Sequence, residues 1–208
     1  MRWIRRLSLG VAVALSLSAV VVPKALGYNP SAAAVYADDW ATACNFSDGN
    51  CYGDDCAAFV SKALYYAGYD MVGYGKDKTN DNYWWNRYQP YLGWDNSNSW
   101  SVAYRLYHFQ ILHYPGGYNW GTSPGYSGLV DSGLGKGDLL FYDWDGNGHI
   151  DHVSIIAAEN QYDPNSRWYG DLVDQHSTDR YHAFWSLRPY NSQWSTTVIT
   201  KVHIDTAN

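Results

Sequence analysis

The sequence predicts an α+β domain in which N-terminal helices pack on an antiparallel sheet. Three observations carry that expectation. Helical spacing of apolar residues is confined to the first half of the chain, around 30–41, 56–67 and 97–111. Short, strongly apolar runs bounded by turn residues follow at 137–142 and 151–157. Helices first and consecutive strands after is the α+β order, whereas a parallel sheet would alternate them.

Residues 1–27 read as a secretory signal peptide. Arg2, Arg5 and Arg6 precede an almost wholly apolar run from Leu7 to Val22, and Ala25-Leu26-Gly27 offers small residues for cleavage before Tyr28. A membrane anchor is the rival reading, but the run is shorter than the ~20 residues of a span and ends at Pro23. The expected mature chain, 28–208, suits a single domain, monomeric and free of the membrane once the leader is removed. The formal charge of -6 includes the basic leader, so the mature chain is more acidic still, which argues against nucleic acid as a partner.

Asn29-Pro30 is an N-cap followed by a first-turn proline and opens a helix through Val35, Tyr36 and Trp40. The next helix starts at Cys56 and buries Phe59, Val60, Ala63, Leu64 and Ala67; Asp54 or Asp55 can cap it and Gly68 can stop it. Residues 69–97 show no period and read as a long ordered loop rich in aromatics. Ser97 or Ser99 caps a third helix that ends at Pro115-Gly116-Gly117, and 118–135 reads as a second, glycine-rich loop. Strands are expected at 137–142, 151–157, 171–176 and 195–204, the first two joined by a tight polar turn.

Three cysteines leave one unpaired under oxidising conditions. Cys44 and Cys51 flank a polar turn that can bring them together, which frees Cys56; the other pairing joins Cys51 to Cys56. A zinc site lacks any C-x-x-C spacing. In the first turn of its helix Cys56 meets free backbone N–H groups that favour a thiolate, but two aspartates oppose them, so a reactive thiol needs a histidine. Among seven histidines, His152 opens a strong apolar strand after a turn, where its ring can face a helix packed on the sheet. His176 ends the next strand. A cysteine, a base and an orienting group on separate elements is the arrangement of nucleophilic acyl transfer.

The run Gly53-Asp54-Asp55-Cys56-Ala57-Ala58-Phe59-Val60-Ser61 resembles the helix start of the putative amidase domain family, within the NlpC/P60-like (papain-like) superfamily. Tyr28-Asn29-Pro30, Asn98-Ser99-Trp100-Ser101, Gly137-Asp138-Leu139-Leu140-Phe141-Tyr142, Asp151-His152-Val153-Ser154 and Gln175-His176-Ser177 resemble further segments in the same order. The extra Asp54 and the pair Ala57-Ala58 depart from its pattern. The resemblance implies an NlpC/P60-like fold and a triad of nucleophile Cys56, base His152 and orienting His176, with Asp174 as the rival third member because it shares the strand parity of His176 and Gln175 points opposite. It also implies that the Cys56 N–H contributes to an oxyanion hole. No cofactor is required. The turn from Asp143 to Asp151 matches the first nine positions of an EF-hand-type loop, with Asp143, Asp145, Asn147 and Asp151 as ligands for a structural calcium, but Ser154 replaces the glutamate at the twelfth.

The expected function is a secreted cysteine amidase or peptidase of the bacterial cell envelope, acting on peptide or peptidoglycan amide bonds. A non-catalytic wall- or glycan-binding module, to which the surplus Trp and Tyr would be suited, is one alternative, and an acyltransferase with the same Cys-His chemistry is another.

Overall fold

A computed structural model describes residues 27–206 apart from 50, 52 and 113–116. The expected leader, save Gly27, and the Pro115-Gly116 helix stop lie outside the described residues. Among those described, no helix is long and apolar enough to cross a membrane. The chain forms α1 (Pro30–Trp40), α2 (Cys56–Tyr66), a hairpin of β1 (Asn86–Gln89) and β2 (Gly93–Asn96), α3 (Asn98–Ser101) and α4 (Ala103–Leu112). Strands β3 (Gly117–Pro124), β4 (Leu139–Asp143), β5 (His152–Asp163), β6 (Trp168–Gln175), β7 (Arg180–Phe184) and β8 (Val198–Ile204) then build one antiparallel sheet in the order β3-β8-β4-β5-β6-β7. The architecture is therefore α+β, as the sequence order predicts.

Helix α1 begins where expected, with the Asn29 side chain accepting from the Ala32 N–H at 3.1 Å and Pro30 in the first turn. Helix α2 is buried continuously from Cys56 to Leu64. It stops at Gly68, whose φ of +95° only glycine adopts freely, with the Tyr69 N–H returning to the Leu64 carbonyl. Helices α1 and α2 are tied to the loop that precedes Cys56. Cys44 and Cys51 are disulfide-bonded, and inside that loop Asp48 accepts from the Tyr36 hydroxyl at 2.6 Å and pairs with the buried Lys62 ammonium at 3.0 Å. Losing either partner of that ion pair would leave a charge buried alone, so it fixes how the loop meets α2.

The centre of the sheet is buried on both sides, which explains why β4 reads as an unbroken apolar run. Leu139 and Phe141 join Val153 and Ile155 in the core beneath the helices. Leu140 and Tyr142 join Ile156 and Val173 in a second core on the opposite face, closed by Leu134, Trp185 and Leu187. The aromatic segment before α3 is largely core: Trp84 and Trp85 are fully buried, and Trp84 stacks on Phe109. Several elements differ from the sequence expectation. The β1–β2 hairpin lies within the expected loop, all of β3 but Gly117 lies within the second one, and β7 is not predicted. The third helix divides at Val102, whose extended backbone separates α3 from α4.

Candidate active site

Cys56 is the first residue of α2 and His152 the first of β5, and both line one cavity of about 490 Å³ with Gln175, Ser177, Arg180 and Tyr190. Cys56 is the free cysteine and is buried. His152 follows the turn from β4, and its ring stacks on Trp144 with centroids 5.5 Å apart. It shares strand parity with Ser154 and Ile156, so it lies on the face of the second core.

That placement does not bring His152 together with the expected third residue, His176, whose ring nitrogens are bonded elsewhere. Gln175 and Val173 share the second face, and Gln175 Oε1 lies 3.0 Å from His152 Nε2. The parity separating Gln175 from His176 is as expected; His152 shares the face of Gln175 rather than that of His176. The amide also fixes the tautomer. Gln175 Nε2 donates to the Thr178 carbonyl at 3.0 Å, so Oε1 is the atom turned to the ring and must accept from an Nε2–H. His152 Nδ1 then carries the lone pair, and among the described residues it makes no hydrogen bond. Burial, helped by the nearby Arg180 charge and opposed by Gln175, pushes the imidazole down to about 4. Burial likewise pushes the Cys56 thiol above its ordinary 9.0, against the lowering effect of backbone N–H groups and Ser177. The resting pair is a neutral thiol and a neutral imidazole.

His176 sits on the helix face instead. Its Nε2 donates to the Trp40 carbonyl at 2.8 Å, its Nδ1 lies 3.0 Å from Asp55 Oδ2, and its ring stacks on Phe59. Burial works against protonation, but Asp55 and the carbonyl more than offset it and raise the pKa above 6.5. His176 is thus a clamp joining the end of α1, the start of α2 and the end of β6. It also explains why Asp55, at the N-cap of α2, makes no side-chain cap bond. Asp174, the rival third member, lies under α1, where its Oδ1 accepts from the His182 N–H at 2.7 Å, and His182 Nε2 is 2.9 Å from Asp38. It does not bond His152.

The Cys56 N–H, expected in an oxyanion hole, donates to Ser177 Oγ at 3.1 Å. The extra Asp54 lines the cavity. In the β4–β5 turn, Asp143, Asp145 and Asp151 each offer an oxygen within 4.8 Å of the others. The same groups hold the turn together: Asp143 accepts from the Gly146, Asn147 and Gly148 N–H groups, Asp151 from Trp144, and the Asn147 side-chain carbonyl from His149.

The model of the family described as "Putative amidase domain" matches residues 27–199. The chain belongs to this family. No curated protein and no solved structure matches the chain. Membership in the putative amidase domain family indicates a hydrolase acting on amides. The family match spans Cys56, His152 and every other residue that lines the cavity. Gln175, Ser177, Arg180 and Tyr190 are among the lining residues that the sequence reading does not place in a site. Gln175 was legible in principle, as the one residue of 174–176 with opposite parity, had His152 been assigned to the second face.

Proposed function

We propose that the protein is a cysteine amidase with Cys56 as nucleophile, His152 as base and Gln175 as the residue that orients the base. The observation that carries this is the His152–Gln175–Thr178 chain, which leaves Nδ1 unprotonated in the cavity that also holds the free thiol. As Cys56 Sγ attacks the amide carbon, its proton passes to His152 Nδ1. The carbonyl oxygen gains charge near the Ser177 hydroxyl, whose oxygen already takes the Cys56 N–H and whose O–H is left to donate. Collapse breaks the C–N bond, His152 returns the proton to the departing amine, and a thioester remains on Cys56. Water then attacks the thioester with His152 again taking a proton, which releases the acid and restores the thiol.

The Cys44–Cys51 disulfide suits an oxidising compartment, and it supports placing the protein outside the cytoplasm, at a bacterial envelope where peptide and peptidoglycan amides are within reach. The test is Cys56→Ala protein incubated with peptidoglycan peptides, with products followed by mass spectrometry. Wild type should release new amines and acids, while the variant, folded to the same melting curve, should lose the activity by several orders of magnitude. Hydrolysis persisting in folded Cys56→Ala protein would end the cysteine mechanism.

A further inference from the structure

We infer that the cleft beside Cys56 contains a carboxylate-binding subsite built on Arg180, so that the amide it accepts has a carboxylate close to the scissile bond. Arg180 opens β7 and is the direct cross-strand partner of Gln175, the residue that holds His152. Residues opposite each other in a ladder share a sheet face, so the guanidinium belongs to the same side of the sheet as the base. Its carbon lies 4.4 Å from the centroid of the Tyr190 ring. That ring is itself anchored, because the Tyr190 hydroxyl donates to the fully buried Asp163. The guanidinium therefore rests on a fixed aromatic platform, an arrangement that limits the side-chain entropy lost when a ligand is bound.

What the guanidinium lacks is an anion. Arg87 closes on Asp95 at 3.0 Å and Arg105 on Asp81 at 2.9 Å. Among the described residues Arg180 has neither a carboxylate partner nor a side-chain hydrogen bond, although it lines the cavity. Two carboxylates line the cavity as well. Asp151 is engaged by the Trp144 N–H and lies 4.0 Å from His149, whereas Asp54 is exposed beside the start of α2. The cleft thus offers a cation on the β7 side and an anion on the α2 side. A planar fork of N–H donors on an aromatic platform matches a carboxylate in charge and shape. Neutralising Arg180 would also lift one of the influences that depress His152, so a substrate carboxylate would make the ring a better base when it is needed.

The subsite rests on the cleft being the place of reaction, but it can be tested without a substrate. Cys56 is the free thiol, so its alkylation by iodoacetate and by iodoacetamide compares an anion with its neutral analogue at one atom. The rate ratio, referred to that of a small free thiol at the same pH and low salt, should be raised about fivefold in wild type, as expected for a cation a few ångströms away. Arg180→Gln should bring the ratio to the free-thiol value or below it, because Asp54 remains, Arg180→Lys should keep part of the preference, and Asp54→Asn should raise it. A wild-type ratio at or below the free-thiol value, or one unchanged in Arg180→Gln, would overturn the subsite. The outcomes separate the two readings: a ratio that falls in Arg180→Gln without any amide hydrolysis keeps the subsite and removes the amidase, and hydrolysis with an unchanged ratio does the reverse.

Discussion

If thiol and imidazole are both neutral at rest, the reactivity of Cys56 should follow pH in a way that an ion-paired cysteine enzyme does not. His152 at about 4 lies about 2.5 pH units below its ordinary 6.5, equivalent to roughly 3.4 kcal/mol against protonation. Burial also holds the Cys56 thiol above 9.0, so moving its proton to His152 is uphill at both groups, offset only in part by the attraction of the charges formed. The neutral pair is therefore the main resting form, and in the proposed reaction the proton moves as the S–C bond forms. The assay is the pseudo-first-order rate of iodoacetamide alkylation from pH 5 to 10, clean because the other two cysteines are bridged. The rate should climb through pH 9 with no plateau between 5 and 8. His152→Ala should not move the inflection upward, because above pH 4 a neutral ring lends the thiolate no charge. For amide hydrolysis the acid limb should lie near pH 4, where His152 is protonated. A fast plateau at pH 5–7 that disappears in His152→Ala would refute the neutral pair and the burial argument beneath it.

Two further outcomes separate chemistry from framework. Gln175→Ala should lower kcat by about two orders of magnitude with little loss of stability, by freeing the ring tautomer, whereas His176→Ala should cost about 3 kcal/mol of stability in urea denaturation by leaving Asp55 buried and unpaired, with the smaller effect on kcat. Burial, and then Asp38, raise the Asp174 carboxyl well above the usual carboxylate range, so the folded state holds a proton that the unfolded chain releases; stability should fall as pH rises above 3.8, and Asp174→Asn should flatten that slope when denaturation is repeated across pH 4–8.

Elements with one strong local signal were legible in the sequence. Asn29-Pro30 marks a cap, Cys56 to Gly68 a helix with a glycine stop, and the run from Leu139 to Asp143 a strand buried on both faces. Those that escaped are shaped by their partners. β3 carries two glycines and is mostly exposed, and β7 mixes Arg180, Tyr181 and His182 with two buried residues. Both are edges of the sheet, where one side of the ladder is solvent and no alternation is imposed. The site was legible to the same degree. Helix position and cysteine arithmetic single out Cys56, and a strand start singles out His152. Neither says which sheet face His152 occupies, because β5 is buried on both and an apolar run has no inside and outside to read. The choice between His176 and Gln175 turns on that one unknown.

The turn that leaves β6 shows why the two histidines belong to one design although only one lies in the cleft. Ser177 has φ +61° and Thr178 φ +101°, left-handed conformations that cost roughly 1–3 kcal/mol each in residues with a Cβ. Such a turn persists only if its surroundings hold it, and here each residue is held by a different part of the site. His176 anchors the entry through Asp55 and the Trp40 carbonyl. Ser177 Oγ takes the Cys56 N–H, and the Thr178 carbonyl takes the Gln175 amide. The strain places the Thr178 carbonyl where it dictates the orientation of Gln175, and that orientation dictates the His152 tautomer. The clamp on the helix face thus controls the lone pair on the opposite face without touching it. In the proposed reaction His176 would act only through this turn, and it makes none of the contacts expected of an orienting residue.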